Sequence, residues 1–380
     1  MCILSPIYLE VSPLCCGLCW LSFWVFRHIY TINQVMRGRL FLSLCYCLLL
    51  ISVAFFLVRN TLSFYILFEM SLLPTLLIVM FFGYQPEKLQ ASLYLLLYTV
   101  LASLPLLLVL LSASPYLRLI TLVTSPVLVL FLTLGFIVKT PIYLVHVWLP
   151  KAHVEAPVAG RMVLAGILLK LGRFGLIFFA PFLSRRILSV YLFLSLIGRV
   201  ACGVICTRQW DRKSLIAYSS VVHIGVVTVG VVVGSEVGYD CAVLIVIAHG
   251  ICSPLIFALA YLLYSNSHTR LLSSNRGQLG LPMLRFFLFL LLAINIGVPP
   301  FLNLWSEVLI FVSLLTPFTH ALWLLVPIAF VGVLYNLFMY VSLSHGKETP
   351  PIGDVKLVWP FMRSTSLSLL TRGMLCAWVV

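Results

Sequence analysis

Residues 136–172 read FIVKTPIYLVHVWLPKAHVEAPVAGRMVLAGILLKLG, which sets Lys139, Lys170, His146, His153 and Glu155 in or beside strongly apolar sequence. Lys139 stands two residues before Pro141 near the middle of one apolar segment, and Lys170 stands in the second half of the next. Neither lysine has an obvious route to water. The class of the protein follows from why such residues occur in such surroundings.

Over the whole chain 62% of residues are hydrophobic and only 9% charged, with a mean hydropathy of +1.15. A soluble globular domain does not have that composition. The apolar runs recur from end to end with short polar gaps, so the chain reads as a single membrane domain, an all-α polytopic bundle. A net charge of +14 does not indicate nucleic acid, because the basic residues are scattered through short loops without forming a basic run or face. The first apolar stretch carries Glu10 and two prolines without an Ala-x-Ala-like site after it, so insertion through the chain's own spans is expected.

Eleven cysteines fall mostly inside apolar runs, where a thiol behaves as a small hydrophobe. Cys16 and Cys19 form a lone CxxC without a second pair or nearby histidines, so the reading is structural cysteine, with neither disulfides nor an iron–sulfur cluster.

A transmembrane helix takes about 20 apolar residues. On that measure about twelve spans are expected, near 9–27, 40–58, 61–82, 91–112, 121–149, 157–180, 187–206, 214–234, 238–264, 282–313, 319–343 and 362–380. They divide the chain into an N-terminal span and loop (1–37), a first unit (38–180), a second unit (181–343) and a C-terminal loop and span (344–380). The gaps after odd-numbered spans carry Arg37, Arg39, Lys88, Lys151, Arg208, Arg212, Lys213, Arg270, Arg276, Lys347, Lys356 and Arg363. Those after even-numbered spans carry only Arg59, Arg118, Arg185 and Arg186. The positive-inside rule then places the first set on the matrix or cytoplasmic side and both termini opposite.

Two spans carry proline breaks, the fifth at Pro141 and the tenth at Pro299–Pro300. Proline removes a backbone donor and clashes with the preceding turn. A break within a membrane therefore needs a protein interior or a wet cavity around it. Broken helices at corresponding places in two halves point to a transport site, and the spacing fits two five-helix units.

The intramembrane ionisable residues fit the same theme. Glu69, Lys139, Lys170 and Glu307 all lie inside expected spans, where a charge costs roughly 2.5–3.5 kcal/mol on insertion scales. One such residue is readily a structural ion pair; four in one chain point to a proton or ion path. His249, followed by Gly250 and Pro254 in what reads as an irregular helix, is the stronger histidine candidate. His223 is balanced between a relay and a core histidine, and His146 and His153 between relay, loop contact and solvation. The histidines do not form repeated intrahelical pairs for haem. Nothing resembles a phosphate loop, a dinucleotide fingerprint or a catalytic triad, so redox chemistry is expected elsewhere.

Five segments, in order, carry a specific resemblance: FYILFEMSLLPTLLIVMFFGYQPEKLQAS, KTPIYLVHVWLPKAHVEAPVAGRMVLAGILLKLG, RQWDRKSLIAYSSVVHIG, IAHGICSPLIFALA and NIGVPPFLNLWSEVLIF. From about Thr61 to about Ser342 the chain resembles the antiporter-like, proton-pumping membrane subunits of mitochondrial NADH:ubiquinone oxidoreductase, respiratory complex I, of the subunit-4 type. Mrp-type cation/proton antiporter subunits share the pattern. The resemblance implies two inverted five-helix repeats, each with a broken helix. It gives Glu69 the role of the first-repeat glutamate, Lys139 its lysine partner, Lys170 the lysine linking the halves, His249 the histidine of the second path, and Glu307 the terminal acid. His223 is a further relay candidate.

The same resemblance implies a multi-pass protein of the mitochondrial inner membrane, with both termini on the intermembrane-space side. Its neighbours would be other membrane-arm subunits, including antiporter-like ones, and phospholipids such as cardiolipin, without nucleic acid. NADH, FMN, iron–sulfur clusters and ubiquinone would be bound by other subunits. The chain departs from the family in having room for one helix before Arg37 where three are expected. Arg161, Arg173 and Arg199 also stand where small or neutral residues are usual, either snorkelling to head groups or, for Arg173, acting on Lys170. Two rival readings are a Mrp-type sodium/proton antiporter subunit and an assembly scaffold that does not pump.

Overall fold

In a computed structural model, the structure describes residues 13–32, 38–58, 60–83, 86–112, 126–180, 185–277, 279, 282–315, 320 and 322–346. The expected last span, 362–380, lies outside the described residues. Helix α1 spans Pro13–Ile32, α2 Arg39–Leu57, α3 Thr61–Met70, α4 Leu72–Phe82, α5 Lys88–Ser112 and α6 Pro126–Lys139. After a non-helical stretch come α7 (Trp148–Glu155) and α8 (Val158–Val163), then a π-helical turn (Leu164–Leu168) that runs into α9 (Leu169–Phe179). The second half comprises α10 (Arg185–Thr207), α11 (Arg212–Val233), α12 (Glu236–Ser267), α13 (Pro282–Ile296), α14 (Leu302–Leu315) and α15 (Leu322–Ser344).

Among the described residues, eight helical segments are long and apolar enough to cross a membrane, and Val127–Lys139, Pro282–Ile296 and Leu302–Leu315 are shorter apolar helices. The segments 158–179, 212–233 and 236–265 are buried along most of their length, while 39–57, 88–111 and 323–344 expose apolar outer faces. Leu93, Leu97, Leu101, Leu104 and Leu108 on α5 are all exposed, a face suited to lipid or to apolar neighbours.

Local signals place most ends. Asp211 caps α11, its side chain accepting from Lys213 N at 3.0 Å, and Ser235 caps α12, accepting from Gly238 N at 3.1 Å. Gly234, at φ 68°, ends α11 in the left-handed conformation that glycine takes without a steric cost.

Both proline breaks lie where the sequence puts them. Helix α6 stops at Lys139 and α7 starts at Trp148, with Trp148 Nε1 donating to Val138 O at 3.0 Å across the break. Helix α13 stops at Ile296 and α14 begins at Leu302, while Asn303 Nδ2 donates to Ile294 O at 2.7 Å. In each case a side chain from the second half-helix satisfies a carbonyl freed in the first.

Two expectations are corrected. The irregular helix around Gly250 and Pro254 is instead continuous, α12 running through both residues. Ser253 Oγ donates to His249 O at 2.8 Å beside the missing proline donor, and Pro254 packs against Gly166 of the π-helical turn, where an added Cβ would lie 3.1 Å from Pro254 Cγ. The first span also ends later than expected, the start of the expected span at 9–12 lying outside the described residues: α1 runs to Ile32, and its buried Leu18, Leu21 and Val25 face the protein interior.

Candidate functional site

The ionisable residues are positioned by the two breaks and the π-helical turn. Lys139 is the last residue of α6, where the unsatisfied carbonyl end of a helix favours a cation. Its Nζ lies 3.3 Å from Glu69 Oε1, donates to Phe68 O at 2.6 Å and sits over the Phe68 ring. Lys139 is 2% exposed and Glu69 21%. The break thus supplies room for a lysine that meets an acid from α3.

Lys170 is fully buried in α9. Its Nζ donates to Ala165 O, a carbonyl of the π-helical turn. A π-turn shifts the local hydrogen-bond register, and such turns favour functional sites. Lys170 Nζ also lies 3.4 Å from His249 Nδ1. Close packing permits the approach: a Cβ on Gly250 would lie 3.1 Å from Lys170 Cε, and one on Gly172 would lie 3.1 Å from Lys139 Cβ. Gly172 therefore brings α9 against α6 two residues after Lys170.

Beyond His249, the His223 ring follows at a centroid distance of 5.5 Å. Both ring nitrogens of His223 are buried, and Asn295 of α13 is its polar side-chain neighbour. Glu307 stands apart from this group, against the α13–α14 break, where a Cβ on Gly297 would come within 3.3 Å of its Oε2. Thus Glu69 meets Lys139, and Lys170, His249 and His223 form one cluster. Glu307 touches neither set directly.

Arg199 bridges that gap, being in electrostatic reach of both His223 and Glu307. The snorkelling reading of the three arginines is corrected here: Arg161, Arg173 and Arg199 are all buried. They come from inward faces of α8, α9 and α10, too deep in the bundle for their side chains to lead outward. Arg161 Nε donates to Ala156 O at 2.9 Å. All three guanidinium nitrogens of Arg173 lack a hydrogen-bond partner, and the group acts on Lys170, His223 and His249.

His146 and His153 are buried at the α6–α7 break. His153 stacks on Phe257 at 4.8 Å, and His146 lies 5.4 Å from the Tyr143 ring and 5.9 Å from Tyr218. Glu155, present in the opening motif without an assigned role, is buried, with Oε1 3.8 Å from Arg270 Nη1. Among the described residues, no three His, Cys, Asp or Glu side chains come together as metal ligands do.

A buried row of acids, lysines and histidines at two helix breaks can hold and pass protons. Residues 59–334 match the family model described as NADH:quinone oxidoreductase/Mrp antiporter, transmembrane. The chain belongs to the NADH:quinone oxidoreductase/Mrp antiporter family. Within that family it is 42% identical to NADH-ubiquinone oxidoreductase chain 4 of Lumbricus terrestris over 327 residues, covering 82% of this chain and 72% of the relative. Its fold matches a chain of respiratory complex I from Thermus thermophilus with bound NADH, at a TM-score of 0.82 and 25% identity, over 96% of this chain and 80% of that one. It also matches a chain of the Mrp complex from Dietzia sp. DQ12-45-1b, with TM-score 0.81, 16% identity, and coverage of 96% and 81%. This second likeness concerns the fold alone.

Proposed function

We propose that this chain is a membrane-arm subunit of a proton-translocating NADH:ubiquinone oxidoreductase, moving protons through Glu69, Lys139, Lys170, His249 and Glu307, with His223 as a relay. The observation that carries the reading is the Glu69–Lys139 contact at the first helix break, in a chain that shares 42% identity with a chain 4 relative. That degree of identity also favours the oxidoreductase over a free-standing Mrp-type antiporter.

The mechanism is electrostatic. While Glu69 and Lys139 are together, the carboxylate stabilises the ammonium. When they part, Lys139 releases its proton toward Lys170, and the proton continues through His249 and His223 to Glu307, with Arg199 stabilising the ionised acid. Closing of the pair restores uptake. Transfer against a potential costs about 2.3 kcal/mol per charge per 100 mV, so the drive comes from quinone reduction in other subunits, which also hold NADH, FMN, the iron–sulfur clusters and ubiquinone.

In this reading the two halves are inverted five-helix repeats within about twelve spans, each repeat having its fourth span broken. The chain resides in the mitochondrial inner membrane with its basic loops on the matrix side and both termini opposite. Neighbouring membrane-arm subunits and phospholipids such as cardiolipin cover its apolar faces. Neutralising Lys139, Lys170 and Glu307 together in the assembled complex separates a pump from a scaffold: the pump loses proton translocation, whereas a scaffold keeps it.

A further inference from the structure

Among the described residues, one buried acidic group remains unused by that path. Glu155, at the end of α7, lines a cavity of about 250 Å³. Glu87, Gln90 and Lys151 form its exposed side, and Glu155 is 5% exposed. The two carboxylate oxygens have different surroundings. Oε1 faces Arg270 Nη1 at 3.8 Å, and the same Nη1 lies 4.0 Å from Asp211 Oδ2. Oε2 is buried without a hydrogen-bond partner.

Between this cavity and Lys139 runs the seam where α5 packs on α7. A second void of about 10 Å³ is lined by Lys139, Thr99, Trp148 and four leucines, Leu95 among them. On α5, Ala91 lines the wide cavity while Leu95 and Thr99 line the small one. On α7, Lys151 and Glu155 line the wide cavity while Trp148 lines the small one. Spacings of three and four residues put each set on a single helix face. One turn, about 6 Å, separates the two cavities along α5.

We propose that Glu155 is the proton acceptor of an uptake port on the basic-loop side, collecting protons in the 250 Å³ cavity and passing them along the α5–α7 seam to Lys139. This rests on the proton-translocation reading above. The Glu155 carboxylate takes a proton from cavity water on Oε2 and becomes a carboxylic acid. That O–H then donates toward water in the seam, the proton ends on the neutral Lys139 amine, and Glu155 returns to carboxylate.

Arg270 is a positioning residue, holding Oε1 so that Oε2 is left for the proton. Glu87 from the segment before α5, Asp211 and Lys213 from the start of α11, and Arg270 from the loop after α12 are the charged groups acting on Glu155. Burial raises its carboxyl above the ordinary range, opposed by Arg270, which suits a group that must hold a proton in transit.

The test uses the intact complex in sealed vesicles, with the proton-to-electron ratio measured during NADH oxidation. Glu155→Gln is expected to lower that ratio as far as Lys139→Ala does. Formate, at a concentration that leaves the wild-type ratio unchanged, should restore Glu155→Gln by carrying protons in the 250 Å³ cavity and leave Lys139→Ala unrestored. Glu155→Asp should retain most of the ratio.

A wild-type ratio in Glu155→Gln would overturn the proposal, as would a loss that neither formate nor the aspartate relieves, since that is the signature of a loop clamp. If Glu155→Gln does not assemble, Ala91→Leu decides, because it narrows the seam and keeps the Glu155–Arg270 pair: a lowered ratio supports the port and a wild-type ratio overturns it. An unchanged ratio in Lys139→Ala would instead overturn the underlying proton-translocation reading.

Discussion

Lys139 Nζ lies 3.3 Å from Glu69 Oε1, yet it also holds Phe68 O at 2.6 Å. The ammonium therefore keeps one fixed acceptor when the carboxylate moves away. Glu69→Gln should leave Lys139 in place through Phe68 O while removing the charge that alternates. The expected result is an assembled complex with NADH oxidation retained in uncoupled membranes and a lowered proton-to-electron ratio, checked by potentiometric dye and oxygen uptake.

Gly172→Ala tests the packing that joins the halves. The new Cβ would stand 3.0 Å from Thr140 Cγ2 and 3.2 Å from the Lys139 backbone carbon, so α9 must move off α6. Overpacking of this kind costs about 1–3 kcal/mol. Lower thermal stability of the complex, together with slower pumping than quinone reduction, is expected from calorimetry and paired flux measurements.

Arg173 is a buried cation with no hydrogen-bond partner for any of its three nitrogens. A buried polar group left unsatisfied costs about 1–3 kcal/mol, so Arg173→Leu should hold or raise the melting temperature of the complex. Arg199→Met should differ, because Arg199 acts on Glu307: it should lower the proton-to-electron ratio. Thermal scans and pumping assays on the two variants side by side check the contrast.

The pH dependence of stability follows from Glu155, whose carboxyl is raised above 4.5 chiefly by burial. With a folded value above the unfolded one, the folded state binds more protons between the two. The stability gained from the protonated acid is therefore present below about 4.5 and lost as pH rises through the folded value. Glu155→Gln removes that slope. The melting temperature of the variant relative to wild type should rise with pH across that interval, measured in otherwise identical buffers.

The sequence made some of this site legible and concealed the rest for physical reasons. Pro141 and Pro299–Pro300 mark both breaks because a missing backbone donor is a local property of proline. Glu69 and Lys139 stand out because a charge in apolar sequence demands a partner. The burial of Arg161, Arg173 and Arg199 was not legible, since helices apolar on nearly every face do not reveal which side turns inward. The same lack of a facing signal hid Glu155: only the fold sets its face of α7 against α5 and brings Arg270 from over a hundred residues away to one of its oxygens. The π-helical turn that supplies Ala165 O to Lys170 left no mark in the residue pattern.

The most direct measurement of the central claim is the proton-to-electron ratio of the intact complex carrying Lys139→Ala, in sealed vesicles oxidising NADH. Loss of the lysine that pairs with Glu69 should leave an assembled complex with a lowered ratio. An assembled complex with the wild-type ratio and wild-type coupled turnover would contradict it.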